Sequence, residues 1–141
     1  MYTFFSSRHL AAPPAAVFAA IADPKRLARW WGPAGFSNEF DVFEFHEGGR
    51  WIFTMVGPDG GRYPNESVFA VIEPERRVVI DHVVQPLFRL SITLSPAPGG
   101  TALQWEQVLE DAEIAKAMAA IIEPANEQNL DRLSRELGLA E

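Results

Sequence analysis

Apolar and polar residues alternate over 87–95, LFRLSITLS, with Phe88, Leu90, Ile92 and Leu94 on one side and Arg89, Ser91 and Thr93 on the other. A period of two predicts a strand with one buried and one wet face. Similar runs occupy FEF within 40–46, WIFTMV (51–56), SVFAVI (67–72), RVVIDHVV (77–84) and TALQWEQVL (101–109), and a further strand is expected over 2–11. Between them lie HEGGR (46–50), GPDGGR (57–62), EPER (73–76), Gln85-Pro86 and PAPGG (96–100). Gly and Pro make these reversals, so the middle of the chain reads as an antiparallel meander.

The two ends carry a different period. Pro14 suits a first helical turn, and Val17, Phe18 and Ile21 form a stripe behind it. Asp23-Pro24 starts a second short helix, expected to hold Leu27, Trp30 and Trp31 and to end at Gly32-Pro33. Toward the C-terminus, Ile114, Met118, Ile121, Ile122, Leu130, Leu133 and Leu137 follow helical spacing over 112–138. Pro124 is expected to kink or split that helix, and Gly138 to stop it. A sheet with one apolar face needs a cover, and only the C-terminal stripe is long enough to supply it. The layout is α+β: seven strands, two short helices after the first, and a long terminal helix in a single domain over 1–141.

Composition narrows the partners. The chain has 141 residues, of which 48% are apolar and 22% charged, with a formal charge of −7. No Lys/Arg run stands out, so nucleic acid is not an expected partner. No apolar run approaches the roughly 20 residues that span a bilayer, so no membrane insertion is expected. There is no cysteine, which removes disulfides and thiolate chemistry and fits a reducing, cytoplasmic setting.

Four segments in order carry a resemblance: APPAAVFAAIADPKRLARWWGP, GGRWIFTMVGPDG, YPNESVFAVIEPERRV and the closing NLDRL. Together, from about Arg8 to Leu137, they resemble the START-like (SRPBCC) superfamily, in the branch of homologues of the heat-shock-protein-90 ATPase activator. The resemblance implies a helix-grip fold, a curved antiparallel sheet around the C-terminal helix with a cavity between them. Members of the superfamily bind lipids and other apolar molecules, and some catalyse cyclisation or hydrolysis. The extra N-terminal domain of the eukaryotic activators is not expected in this chain. A polar, proline-broken EPANEQN also stands where the terminal helix would present a docking surface.

In that frame LARWWGPAGF (27–36) places Trp30 and Trp31, with Phe36 just after, at the mouth of the grip. Adjacent helical positions point in different directions, so one indole plugs the core while the other lines or gates the cavity, or both seal the core's end. By the resemblance, Trp51, Phe53 and Met55 point into the concavity, with Leu90 and Trp105 opposite and Met118 and Ile121 above. Any of these also reads as plain core.

Polar residues inside strands are the candidate anchors: His82, which shares a face with Val78 and Ile80, Glu66 at a strand opening, and Gln107 on the face of Leu103 and Trp105. His82 reads equally as a histidine bonded within the protein. Asn126 and Asn129 are cavity donors or solvated. HEGGR lacks the second histidine of a zinc-protease helix, and His9, His46 and His82 have no metal-ligand spacing, so no metal or cofactor is expected.

The expected function is binding of a small apolar or amphipathic molecule between sheet and helix. Two alternatives stand beside it: a small enzyme using Glu66 and His82 as an acid–base pair, and a chaperone-linked interaction protein. An exposed sheet edge leaves a homodimer open.

Overall fold

Prolines and carboxylates start the helices where the sequence places them. Pro14 opens α1 (Pro14–Ala22), and the Asp23 side chain accepts a hydrogen bond from Lys25 N to cap α2 (Pro24–Trp30). Asp111 accepts from Glu113 N and Ile114 N at the start of α3 (Ala112–Glu136). These elements come from a computed structural model that describes residues 1–139.

Seven strands form one antiparallel sheet: β1 (Tyr2–Leu10), β2 (Ser37–Phe43), β3 (Arg50–Val56), β4 (Arg62–Glu73), β5 (Arg77–His82), β6 (Phe88–Ala97) and β7 (Gly100–Leu109), in spatial order β1-β7-β6-β5-β4-β3-β2. The meander from β2 to β7 is thus joined by β1 returning beside β7. Bulges between Phe40 and Val42 and between Phe69 and Val71 interrupt the register on β2 and β4. An extra residue on one strand bends it and steepens its twist, which curves the sheet toward the helix. The architecture is the α+β helix-grip fold.

Four local expectations are corrected. Trp31 is not helical: it is the extended C-cap of α2, with its N–H on Leu27 O. Pro124 does not split α3, which runs as one element from Ala112 to Glu136. The carbonyl that loses its helical partner belongs to Ala120, on an exposed turn open to solvent. The strand expected within 40–46 lies instead at 37–43, and β4 begins at Arg62, ahead of the expected 67.

Two apolar clusters lie between sheet and helices. The larger contains Trp30, Trp51, Trp105 and Phe69 from α2 and the sheet, with Leu130 and Leu133 from the last turns of α3. The smaller gathers Phe4 and Leu109 beneath Ala115 and Ile122 from the first half of α3. The helix segment between them carries Pro124, Ala125, Asn126 and Gln128, none of them buried, with Asn129 buried at its end. Across that gap α3 spans the sheet without a large apolar side chain to fill the space. Ion pairs tie its C-terminal half down: Arg8 of β1 to Glu127 and Asp131, and Arg26 and Arg29 of α2 to Glu136.

Candidate functional site

The gap under α3 is a cavity of about 230 Å³. Phe53 and Met55 on β3, Ile80 and His82 on β5, Phe88 and Leu90 on β6, and Trp105 and Gln107 on β7 line its sheet side. Each pair sits two residues apart, so the alternation of a strand turns both toward the helix. Asn65 and Ser67 of β4 join them, Trp31, Gly32, Pro33 and Pro86 come from loops, and Ala125, Asn126 and Asn129 close the roof. Two larger hollows, of about 500 Å³, flank the 85–88 segment on the outside, with Glu110 in both walls and Asp111 in one. Neither has a tryptophan in its wall, and Phe88 alone brings a phenyl ring to one of them.

The tandem tryptophans divide their work. Trp30 is in the core and donates its indole N–H to Ala20 O at 2.9 Å. Trp31 turns the other way into the cavity wall, 5.0 Å from the Trp51 ring and 5.7 Å from Trp105 between centroids. Because Trp31 has left the helix, the two rings are set by an extended cap and meet edge to face at 5.7 Å.

The loop behind Trp31 is held from α3. Asn129 donates to Trp30 O and accepts from Gly32 N, and Gln128 accepts from Ala34 N. Arg132 donates to the carbonyls of Arg29, Trp31, Gly32, Pro33 and Phe36 at 2.8–3.0 Å. Polar residues of the EPANEQN stretch therefore bind the WWGP loop and roof the cavity.

Of the expected site residues, Trp31, Phe53, Met55, His82, Leu90, Trp105 and Gln107 stand in the cavity wall. Trp51 is fully buried in the aromatic core, stacked on Phe53 at 4.2 Å, and does not line the cavity. Phe36 packs near Tyr63, and Met118 packs on the smaller cluster. Ile121 is 66% exposed, so its place above the cavity is corrected: helical phase turns it to the outer face of α3. Glu66 is exposed as well, because Ser67 pairs with His82 and faces inward, which sends its neighbour to the opposite face. The Glu66–His82 pair is not formed.

His82 is instead spent on the protein. Its Nδ1 lies 2.8 Å from Pro86 O and its Nε2 2.9 Å from Asn65 Oδ1. Burial pulls the imidazole below its ordinary pKa, against a smaller upward influence from the Pro86 and Val84 backbone. Asn65 was the residue to find: Phe69 and Ser67 are inward on β4, and the same parity selects 65 over 66. Among the described residues no group of His, Asp or Glu is arranged to hold a metal ion, and no helix is long and apolar enough to cross a membrane.

A curved antiparallel sheet, a long helix held in its grip and an aromatic-lined hollow between them define the START-like (SRPBCC) class of protein. A family model, Activator of Hsp90 ATPase homolog 1-like protein, matches residues 11–138, and the chain belongs to that family. Solved structures agree in fold. A protein from Arthrobacter aurescens has a TM-score of 0.89 at 24% identity, over 96% of this chain and 86% of its own. One from Rhodobacter sphaeroides scores 0.85 at 26%, over 99% and 93%. A protein of Aeromonas hydrophila described as AHSA1-like scores 0.76 at 22%, over 97% and 92%. No curated protein matches the chain in sequence.

Proposed function

We propose that this protein binds a small apolar or amphipathic molecule in the cavity between its sheet and α3. The observation that carries the reading is the hollow of about 230 Å³ under the middle of a helix that is closely packed at both ends. Protein interiors are otherwise filled to crystal-like density, and a hollow left beside the indoles of Trp31 and Trp105 forfeits contact energy. A guest restores it: one Phe-sized group removed from water contributes about 1.5–3 kcal/mol before the costs of association. The wall is mostly aromatic and aliphatic with a few polar groups, the usual make-up of a small-molecule site. A cytoplasmic location and action as a monomer or a homodimer are compatible with this reading.

Native mass spectrometry of the protein purified from its own host tests the reading. The expected result is a bound small molecule released on collisional activation. A bare chain that also gains no mass on incubation with small aromatic compounds overturns it.

The family match supports a second reading, an interaction with a chaperone ATPase. Stimulation of a bacterial heat-shock ATPase by the purified chain would favour it, and an unchanged rate would dispose of it.

A further inference from the structure

The polar atoms of the cavity wall fall into two groups, those already bonded within the protein and those left over. His82 and Asn65 face each other, and Asn65 Nδ2 also donates to Tyr63 O. Asn129 uses its oxygen on Gly32 N and its nitrogen on Trp30 O. None of these three has its main polar capacity free for a guest.

Three side chains do, and beside them the indole N–H of Trp105 is buried in the wall without a partner. Ser67 is 3% exposed in the cavity wall, and its hydroxyl bonds to no other described residue. Asn126 Nδ2 donates to Gln107 Oε1 at 3.1 Å, which leaves the Gln107 amide hydrogens and Asn126 Oδ1 without partners among the described residues. Turning both carboxamides over exchanges the roles but still leaves one amino group and one carbonyl oxygen unspent. A hydroxyl, an amino group, a carbonyl and the indole N–H of Trp105 thus remain, all neutral, both donating and accepting. No Asp, Glu, Lys or Arg stands in the wall. A carboxylate or phosphate placed there would lose its hydration and meet no cation.

Volume sets the size. An apolar cavity of about 150 Å³ takes one benzene ring, so about 230 Å³ takes about nine non-hydrogen atoms. A long acyl chain would leave most of its length outside it.

Resting on the cavity reading above, we propose that the ligand is an uncharged molecule of single-ring size with a carboxamide or hydroxyl end, read by Ser67, Gln107 and Asn126. The ring lies among Trp31, Phe53 and Trp105, and its polar end replaces water at the unspent groups of Ser67, Gln107 and Asn126. Leaving those groups unpaired is what discriminates against an analogue without the polar end.

Amide-detected NMR titration of the full chain with benzamide, benzoate and isopropylbenzene tests this, since the three share a size and differ in charge and polarity. Benzamide is expected to shift the amides around Ser67, Gln107 and Asn126 and to bind at least tenfold tighter than benzoate. Gln107→Leu is expected to weaken benzamide by roughly three- to tenfold without weakening isopropylbenzene. Ser67→Ala gives an independent variant with the same expected direction. Benzoate binding as well as benzamide, or both variants leaving benzamide unchanged, overturns the proposal. Isopropylbenzene binding alone overturns it too, while leaving the cavity reading intact. No binding by any of the three removes both.

Discussion

Arg132 donates a hydrogen bond from Nη1 to the carbonyl oxygen of Trp31 at 2.8 Å, across 101 residues of sequence. The same oxygen accepts from Asn38 Nδ2 at 2.9 Å. One guanidinium therefore fixes the backbone that aims an indole into the cavity, and four further carbonyls of the 29–36 segment share it. A guanidinium offers five donors in a fixed plane, against three on the compact ammonium of a lysine.

Arg132→Ala should cost about 2–3 kcal/mol in urea unfolding, the scale of losing charged hydrogen bonds to half-buried carbonyls. Arg132→Lys should recover only part of that. Asn129→Ala, which strands Gly32 N and Trp30 O, should cost about 1–3 kcal/mol. The two sites share one loop, so the double variant should lose less than the sum. Strict additivity would mean that the loop is not a single clamped unit.

Gly32 has φ of +92°, and a Cβ there would lie 2.6 Å from Met55 Cε. Gly32→Ala combines a left-handed strain with a collision in the cavity wall and should cost about 1–3 kcal/mol. Met55→Ala in the same chain should relieve the collision and leave the backbone part. A thermal melt in which the pair is no better than the sum of the single changes would count against this division.

His82 links stability to pH. Its pKa is lowered on folding, chiefly by burial, so the unfolded chain takes up a proton that the folded chain resists. Stability should therefore rise with pH through the window between the lowered folded value and the unfolded value near 6.5, and fall as acid is added across it. Two acceptors beside the ring favour the proton, but desolvation is the larger influence. Urea midpoints measured from pH 5 to 8 should show this slope, flattened in His82→Gln. A stability that rises on acidification would reverse the assignment.

Ala125 roofs the cavity from α3. Ala125→Leu keeps helix propensity and places four-carbon bulk in an existing void, so the melting temperature should hold or rise slightly. Binding of any small aromatic probe should be lost. Retained binding with an unchanged affinity would place the ligand elsewhere.

Much of this was open to reading in one dimension. Alternation over β6 placed Leu90, Ile92 and Leu94 in the core, and Asp23 and Pro24 started α2 where they stand. Strand parity also put His82 and Gln107 on the cavity side. The failures have local causes. Glu66 is a polar group at a strand opening, but the parity of Phe69 turns it outward. Ile121 belongs to the apolar stripe, but Ile122 fills the buried position and neighbours on a helix point about 100° apart. Trp31 lies one residue beyond a helix that stops at Trp30, and that single step decides which indole meets the cavity.

The sequence by itself determined the elements and the faces they bury, because period and capping act within a few residues. It also determined that the terminal helix must cover the sheet, since no other apolar surface is long enough. Only the tertiary structure decided that the polar EPANEQN stretch bridges a void, clasps the WWGP loop and leaves Ser67, Gln107 and Asn126 with unspent hydrogen-bonding capacity. Those facts depend on which groups from distant strands and helix turns come within hydrogen-bonding reach of one another, a proximity that no spacing along the chain encodes.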